Sequence, residues 1–357
     1  MKKSISGTVI VVASIGIDLA DQWSDWVSLD QTGEVIDRGR VRTTESKLRE
    51  RFGTMSPTKI AMEVGTHSAW VSRLLKSYGH EVIVANARKV ALIHRNRRKN
   101  NRIDAEFLAR LARVDQKLLF PVQHRDVTSQ RDLSILRSRD VLVRTRTTLI
   151  NHVRGICKSV GAPMRSCSAE SFARQRADAV PELLGDVLRV VIEQIQQLTD
   201  GIRSFDRRIT KMLGEHPAAQ RLTQINGVGA LTALAYVLTI EDPRRIIRSR
   251  SAGAFFGLVP GSDDSGEKHE QRRITKEGDR FCRRLLVSAG QYMLGPFGRD
   301  SNLRRHGLAI AARGGKNAKK RAVVAVARKL AVLMHRLWIS EVDYIPLFRA
   351  EACHVAA

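Results

Sequence analysis

The sequence predicts a mixed α/β domain followed by two mainly helical segments, and three observations carry that prediction. Short apolar runs bounded by turn residues fill the chain as far as Ala87. Strand signals then almost vanish and helical periodicity takes over. From Leu184 to Met212, apolar residues recur at alternating steps of three and four. The boundaries these patterns imply are 1–125, 126–215 and 216–357.

VIVVASIGIDLA is a continuous apolar run, the pattern of a strand buried on both faces. DWVSLDQTGEVIDRGRVRT reads as two strands joined at Gln31, Thr32 and Gly33, and KIAMEVG as a further short strand. HSAWVSRLLKSYG has helical spacing and ends on Gly79, a candidate C-cap; HEVIVANARK is a fifth strand. A hairpin, further strands and interleaved helices describe a mixed sheet of the ribonuclease-H-like kind.

In the middle segment, Leu184, Val187, Val191, Ile195, Leu198, Ile202, Phe205, Ile209 and Met212 form a heptad seam. It predicts either a coiled-coil dimerisation stalk or a hairpin with the preceding helix, 130–160. In the last segment, LTQINGVGALTALAYVLTI sets Gly227 and Gly229 between helical stretches, the form of a helix-hairpin-helix. Glycines there either let backbone N–H groups approach a phosphate or cap a helix. The closing helix, KNAKKRAVVAVARKLAVLMHRLW, begins cationic, with Lys316, Lys319, Lys320 and Arg321 placed for a phosphate backbone.

With 61 Lys and Arg against 36 Asp and Glu, the net charge of +25 favours a polyanionic partner, of which nucleic acid is the commonest. The hydrophobic fraction of 43% excludes disorder as the default state. The four cysteines, Cys157, Cys167, Cys282 and Cys353, lack metal-ligand spacing and read as reduced thiols. The apolar opening is too short to span a bilayer, and no secretion signal is present. We expect a cytoplasmic protein, nucleoid-associated when bound to DNA, with no membrane partner.

HRNRRKNNRIDAEFLAR is a basic run interrupted by Asp104. Asp18 ends an apolar strand, where a carboxylate is costly unless it meets solvent, a partner or a metal. Glu63 holds the matching place at the end of another strand. Asp104 opens an amphipathic helix, with Asn101 one turn before it on the same face. Singly, these acids read as a turn residue, a salt-bridge partner and a helix-start acid. Together they suit a hard divalent ion, Mg²⁺ or Mn²⁺, and phosphodiester chemistry. Arg97, Arg98, Lys99 and Arg102 flank them as phosphate ligands, whereas Arg110 and Arg113 read as a solvated helix face.

Ser265 lies in a polar loop, PGSDDSGEK, where a serine before glycine is commonly just a turn. Here Lys268, Arg272, Arg273, Lys276 and Arg280 follow it, and a serine among such cations can attack a phosphodiester. No histidine stands at a diagnostic spacing to act as its base. Trp23, Trp26 and Trp70 are expected in the core or at its edge, since 5% aromatics do not make a single-strand stacking platform.

In combination, GIDLA, AMEVGTHSAWVSRLL, RKNNRIDAEFLARLARVD, INGVGALTA and GLVPGSDDSGEKHEQRRITKEGDRFCRRLLVSA resemble transposases of the insertion-sequence "IS one-ten" family over nearly the whole chain. The resemblance implies a RuvC-like domain with a DEDD acidic set, a coiled-coil segment, and a C-terminal transposase domain with a serine nucleophile. It places the family's acids on Asp18, Glu63 and Asp104 and its serine on Ser265, in one composite site across subunits. It further implies DNA as substrate, a bridge RNA as guide, and dimers that pair into tetramers.

One position departs: the family has an Asp where this chain has Asn101. An amide oxygen still ligates Mg²⁺ but brings no charge, so ion binding is expected to weaken. A site of lower affinity, a site relying on one ion and a decayed copy all follow from that substitution, and the intact acids and serine favour the first. Two other functions compete with the recombinase: a metal-dependent, structure-selective endonuclease in which Ser265 is a turn residue, and a non-catalytic nucleic-acid scaffold.

Overall fold

The computed structural model describes residues 12–87, 89–90, 101–265 and 268–347, with backbone alone for 262–265 and 268–271. The chain divides into two compact units, 1–125 and 126–357.

The first unit is built on a five-stranded sheet of β1 (Ser14–Asp18), β2 (Trp23–Leu29), β3 (Val35–Arg42), β4 (Lys59–Glu63) and β5 (Glu81–Ala85), ordered β3-β2-β1-β4-β5. The first three strands form an antiparallel meander, and β4 and β5 run parallel to β1. Its helices are α1 (Glu45–Phe52), α2 (Ser68–Ser77) and α3 (Asn101–Val114). All five strands read from sequence are present. Val9 to Val11 of the first apolar run lie outside the described residues. Gly79 adopts a left-handed backbone just past α2, as its reading as a helix terminator requires.

Strand alternation divides the core into two layers. Ile15, Ile17, Trp26, Val41, Ile60, Met62 and Val84 pack with Leu48 and Phe52 of α1 and Val71 and Leu75 of α2. On the opposite face, Ala61, Ile83 and Ala85 meet Leu108 and Ala112 of α3, while Val27 and Leu29 meet Ala105 and Ala109. Helix α1 is absent from the sequence reading. Its mostly charged octet ESKLRERF buries only Leu48 and Phe52, an i,i+4 pair too sparse to register as periodicity.

Gly16 sets how close α3 lies to the sheet. A Cβ built on it would stand 1.9 Å from the Ala105 carbonyl oxygen and 2.6 Å from the Ala109 nitrogen. No side chain fits, so helix backbone rests on strand backbone. The neighbouring Ser14 hydroxyl donates to the Ala109 carbonyl at 2.9 Å. Arg110 and Arg113, expected as a solvated face, are instead pinned to the β2–β3 turn. Arg110 donates to the Gly33 carbonyl at 2.9 Å and Arg113 to the Gln31 carbonyl at 3.0 Å. Their long stems span a separation that helix periodicity alone does not reveal.

The second unit contains α4 (Val127–Ser159), α5 (Phe172–Arg176), α6 (Gly185–Gly214), α7 (Pro217–Leu222), α8 (Ala230–Ile240), α9 (Ala252–Phe255), the hairpin β6 (Pro260–Ser265) and β7 (Lys268–Ile274), α10 (Arg280–Leu294), α11 (Asn302–Ala312) and α12 (Ala318–Ser340). Its main core surrounds α8, whose residues from Thr232 to Ile240 are all buried, together with α10 and α12.

Helices α4 and α6 form an antiparallel hairpin within the chain. Arg139 makes a two-pronged bond to Asp206 at 2.5 and 3.3 Å, and seven residues on, Arg146 donates to Thr199, seven residues back, at 3.3 Å. The Arg146 side chain is buried, which lowers its pKa. The buried stripe of α6 is Leu188, Ile192, Ile195, Thr199, Ile202, Ile209 and Met212. Of the expected seam, Ile195, Ile202, Ile209 and Met212 lie in that stripe. Leu184, Val191, Leu198 and Phe205 are half-buried, and Val187 is exposed. Toward its N-terminus the stripe has shifted by one residue, because α6 packs on α4 and α5 rather than following a strict repeat.

Cys157 and Cys282 are buried free thiols, and burial pushes the Cys157 pKa up, away from a nucleophilic thiolate. Cys353 lies outside the described residues. Among the described residues, no helix is long and apolar enough to cross a membrane.

Candidate functional site

Strand register brings the acids to one place. β1 pairs in parallel with β4 up to Ile17 opposite Met62, so Asp18 and Glu63 follow at the same end of neighbouring strands. Asp18 is two residues beyond Gly16, and Glu63 two beyond Ala61. Gly16 and Ala61 both face α3, so alternation turns both acids to the α3 face as well. Asp104 is buried in the first turn of α3, one residue before the Ala105 that rests on Gly16. The helix dipole favours an acid there. Asn101 is the first residue of the same helix and is half-buried. Among the described residues, no three His, Cys, Asp or Glu side chains stand close enough to form a ready metal cage. Strand register sets the end of the sheet at which Asp18 and Glu63 stand.

A fourth carboxylate belongs to this face and was not singled out in the sequence. Asp25 lies directly opposite Asp18 in the β1–β2 ladder and is 4% exposed. Two arginines reach it, Arg40 at 3.6 Å and Arg102 at 3.8 Å. Register also sets Arg42 opposite Trp23, Arg40 opposite Asp25 and Arg38 opposite Val27, so all three arginines of the edge strand share this face. All three are exposed, and the Arg40 and Arg42 guanidiniums lie 5.6 and 5.1 Å from the Trp23 ring. The alternating arginines of DRGRVR carry the signal that would have found this strip. Trp26 is buried against Phe52, Trp23 sits at the edge, and Trp70 donates to His67 at 3.1 Å. Arg97, Arg98 and Lys99 lie outside the described residues, and Arg102 is exposed.

In the second unit, the segment expected as a polar loop is a two-stranded hairpin. Ser265 is the last residue of β6 and pairs with Lys268, the first of β7. Alternation along PGSDDS carried no apolar face, which hid the strand. The base of this hairpin is held by backbone contact. A Cβ on Gly257 would meet Glu277 oxygen at 2.3 Å, and one on Gly278 would meet Phe255 oxygen at 2.1 Å. Both glycines have positive φ. Arg283 donates to the Phe256 and Glu277 carbonyls at 3.0 and 2.7 Å, and Asp279 caps α10 by accepting from the Cys282 N–H. Ser265 is thus carried roughly 17 Å from a fixed base, five strand steps away. Arg272, Arg273, Lys276 and Arg280 are exposed.

Gly227 and Gly229 lie between α7 and α8. Gly227 has φ +90°, and Gly229 is the N-cap of α8 with open space around it. They line a shallow groove of about 560 Å³ with Thr223, Asn226, Tyr292 and Arg299. Lys319 and Lys320 are exposed in the first turn of α12. The helix dipole disfavours cations there, slightly at exposed positions.

Two family models match the chain: a DEDD-type transposase model over residues 15–161 and a model described as transposase of the IS116/IS110/IS902 family over residues 219–301. The first spans the sheet, α3 and α4; the second spans the glycine turn and the β6–β7 hairpin. The chain is 27% identical over 342 residues to the transposase for insertion sequence element IS1111A of Coxiella burnetii, covering 92% of this chain and 90% of that protein. It is 28% identical over 286 residues to the transposase for insertion sequence element IS1328 of Yersinia enterocolitica, covering 78% and 83%. Matched at both its acid-bearing sheet and its serine-bearing hairpin, the chain belongs to the IS110-type transposases, enzymes that cleave and join DNA.

Proposed function

We propose that this transposase recombines DNA with two chemical centres, the carboxylates Asp18, Glu63 and Asp104 and the hydroxyl of Ser265. The observation that carries the reading is the common end and face of Asp18 and Glu63, with Asp104 in the helix turn resting on them. Three oxygen donors from three elements are the donor chemistry that Mg²⁺ or Mn²⁺ takes. Such an ion supplies charge neutralisation at a reacting phosphate.

In this reading the Ser265 oxygen attacks a phosphodiester, forming an Oγ–P bond as the P–O bond to the neighbouring nucleotide breaks. Attack by the hydroxyl of a second DNA end reverses those bonds and frees the serine. Bond energy is conserved throughout, so strand exchange requires no high-energy cofactor. Arg272, Arg273, Lys276 and Arg280 stabilise the phosphorane charge or hold adjacent phosphates, as would Lys268. Asn101 leaves the acid set with less charge and lower ion affinity.

The cationic arrays extend the DNA path: Arg97, Arg98, Lys99 and Arg102 in the basic run that precedes Asp104 in the sequence, Gly227 and Gly229 through backbone N–H groups, and Lys319 and Lys320 at the head of α12. A guide RNA encoded by the element supplies target specificity through base pairing. The chain works as a homo-oligomer, dimeric and tetrameric on DNA, with Leu183, Val187 and Val190 as exposed apolar residues near the start of α6.

Replacing Ser265 with Ala and Asp18 with Asn tests the two centres on element-end DNA. Both variants should lose strand exchange, and Ser265→Ala should form no covalent protein–DNA adduct on a denaturing gel. Undiminished cleavage by Ser265→Ala would leave the metal-dependent endonuclease as the better description. RNA copurified from cells carrying the whole element should contain a discrete species from its non-coding end.

A further inference from the structure

We infer that Ile247 is an apolar wedge that enters the minor groove of duplex DNA and opens one base step. The wedge is independent of the chemistry proposed at Asp18 and Ser265. Its loop, residues 241–251 between α8 and α9, lies within the part of the chain matched by the IS116/IS110/IS902 transposase model.

The segment DPRRIIRSRS places two isoleucines among four arginines. Ile246 is 4% exposed and packs into the main core. Its neighbour Ile247 is 93% exposed, the most of any large apolar side chain among the described residues. A lone apolar residue is ordinary on a protein surface. What sets Ile247 apart is the frame that holds it out and the charge around it.

The frame is fixed on both sides of the tip. Pro243–Arg245 and Ser249–Ser251 each form a single 3-10 turn. His335, fully buried on α12, bridges the two turns. Its Nε2 donates to the Pro243 carbonyl at 2.9 Å, and its Nδ1 lies 3.0 Å from the Ser249 hydroxyl. Asp242 accepts from the Arg244 N–H at 2.9 Å, and Arg245 donates back to the Ile240 carbonyl at 3.0 Å. Ile247 therefore stands between two anchored turns, one residue from a buried side chain. Its β-branched side chain has few rotamers and keeps its shape when pressed against a base step.

The charge selects the partner. Arg244, Arg248 and Arg250 flank the tip and are exposed. Arg244 pairs with Asp242 at 2.9 Å, and among the described residues Arg248 and Arg250 form no ion pair. A protein groove or a bilayer would reward an apolar face broader than one side chain. A base step takes one such side chain, and the phosphates on either side of it take the arginines. Minor-groove proteins use this combination, with an isoleucine, leucine or phenylalanine driven between two base pairs so that the bent duplex wraps more protein surface. The step opened is expected to be a pyrimidine–purine step, which unstacks most easily.

Element-end duplexes carrying 2-aminopurine at successive positions test this with the full chain in EDTA. Binding of the native chain should raise the fluorescence severalfold at one step. Ile247→Ala should abolish that rise and leave the melting temperature unchanged, since the side chain is exposed; Ile247→Leu should keep it. Arg248→Ala with Arg250→Ala should instead weaken binding and flatten the slope of log affinity against log salt by about 2, near one unit for each phosphate. A native chain that binds without unstacking any step would overturn the wedge, as would an Ile247→Ala chain that unstacks as well as the native one. So would sedimentation in which Ile247→Ala breaks a dimer formed without DNA, because the tip would then be a contact between copies of this chain.

Discussion

The acidic face of the first unit and the serine hairpin of the second place the groups proposed to react by opposite means. In the first, helix backbone rests on strand backbone at Gly16, and three strands and one helix each bring a carboxylate to the same end. In the second, close backbone packing lies at the hairpin base, around Gly257 and Gly278, and Ser265 is carried away from it. A site for a small, highly charged ion requires oxygens held to fractions of an ångström, and only a packed core supplies that rigidity. If Ser265 is the nucleophile proposed above, it gains from projection toward a long polymer instead. The cations follow the same division. Beside the acids, Arg40 and Arg102 pair with Asp25, and the hairpin and the head of α12 carry further exposed cations.

The largest test of this contrast separates chemistry from structure. Asp18→Asn should reduce strand cleavage by about three orders of magnitude, reflecting the several kcal/mol of charge stabilisation a metal site provides. Its melting temperature in the absence of divalent ions should hold or rise, because a carboxylate facing Asp25 is removed. A fall in stability with activity retained would break the assignment.

Next comes the packing itself. Gly16→Val should destabilise the first unit by about 1–3 kcal/mol, or more, since the added side chain has only helix backbone to displace. Urea denaturation read on tryptophan fluorescence in a Trp338→Phe background, which leaves Trp23, Trp26 and Trp70 of the first unit, would report it. An equivalent melt with no loss would show that α3 can lift without cost.

A smaller effect belongs to the exposed cations. Lys319→Ala with Lys320→Ala should weaken DNA affinity and flatten the slope of log affinity against log salt by about 2, near one unit for each phosphate no longer neutralised. Fluorescence anisotropy across a salt series measures the slope. An unchanged slope would remove α12 from the DNA path. The mildest change is Asn101→Asp, which should keep or raise recombination at low Mg²⁺. A clear loss of activity would contradict the view that the amide is a weakened ligand position.

Much of the first unit was legible in the amino-acid sequence. Each of its five strands carries apolar runs or alternation between turn residues, and those patterns report local burial directly. Helix α1 escaped because two buried side chains in a charged octet leave almost no periodic signal. The hairpin around Ser265 escaped because neither face of β6 is apolar, so its residues look like a loop. The seam on α6 was legible as a repeat but not in its partner. Heptad spacing says that a helix packs along its length, while Arg139–Asp206 and Arg146–Thr199 show α4 of the same chain filling that role.

By itself, the sequence determined the five strands of the first unit, the basic character, and the residue types at Asp18, Glu63, Asp104 and Ser265 that its family resemblance brings together. These follow from composition, spacing and chemistry along the chain. Only the tertiary structure decided that Asp25 faces Asp18, that Arg110 and Arg113 are spent on a turn, and that three arginines of the edge strand share the acidic face. The physical reason is the register of paired strands. A shift of one residue would turn every side chain of β2 to the other face, and nothing local in its sequence states which residue of β1 it will meet.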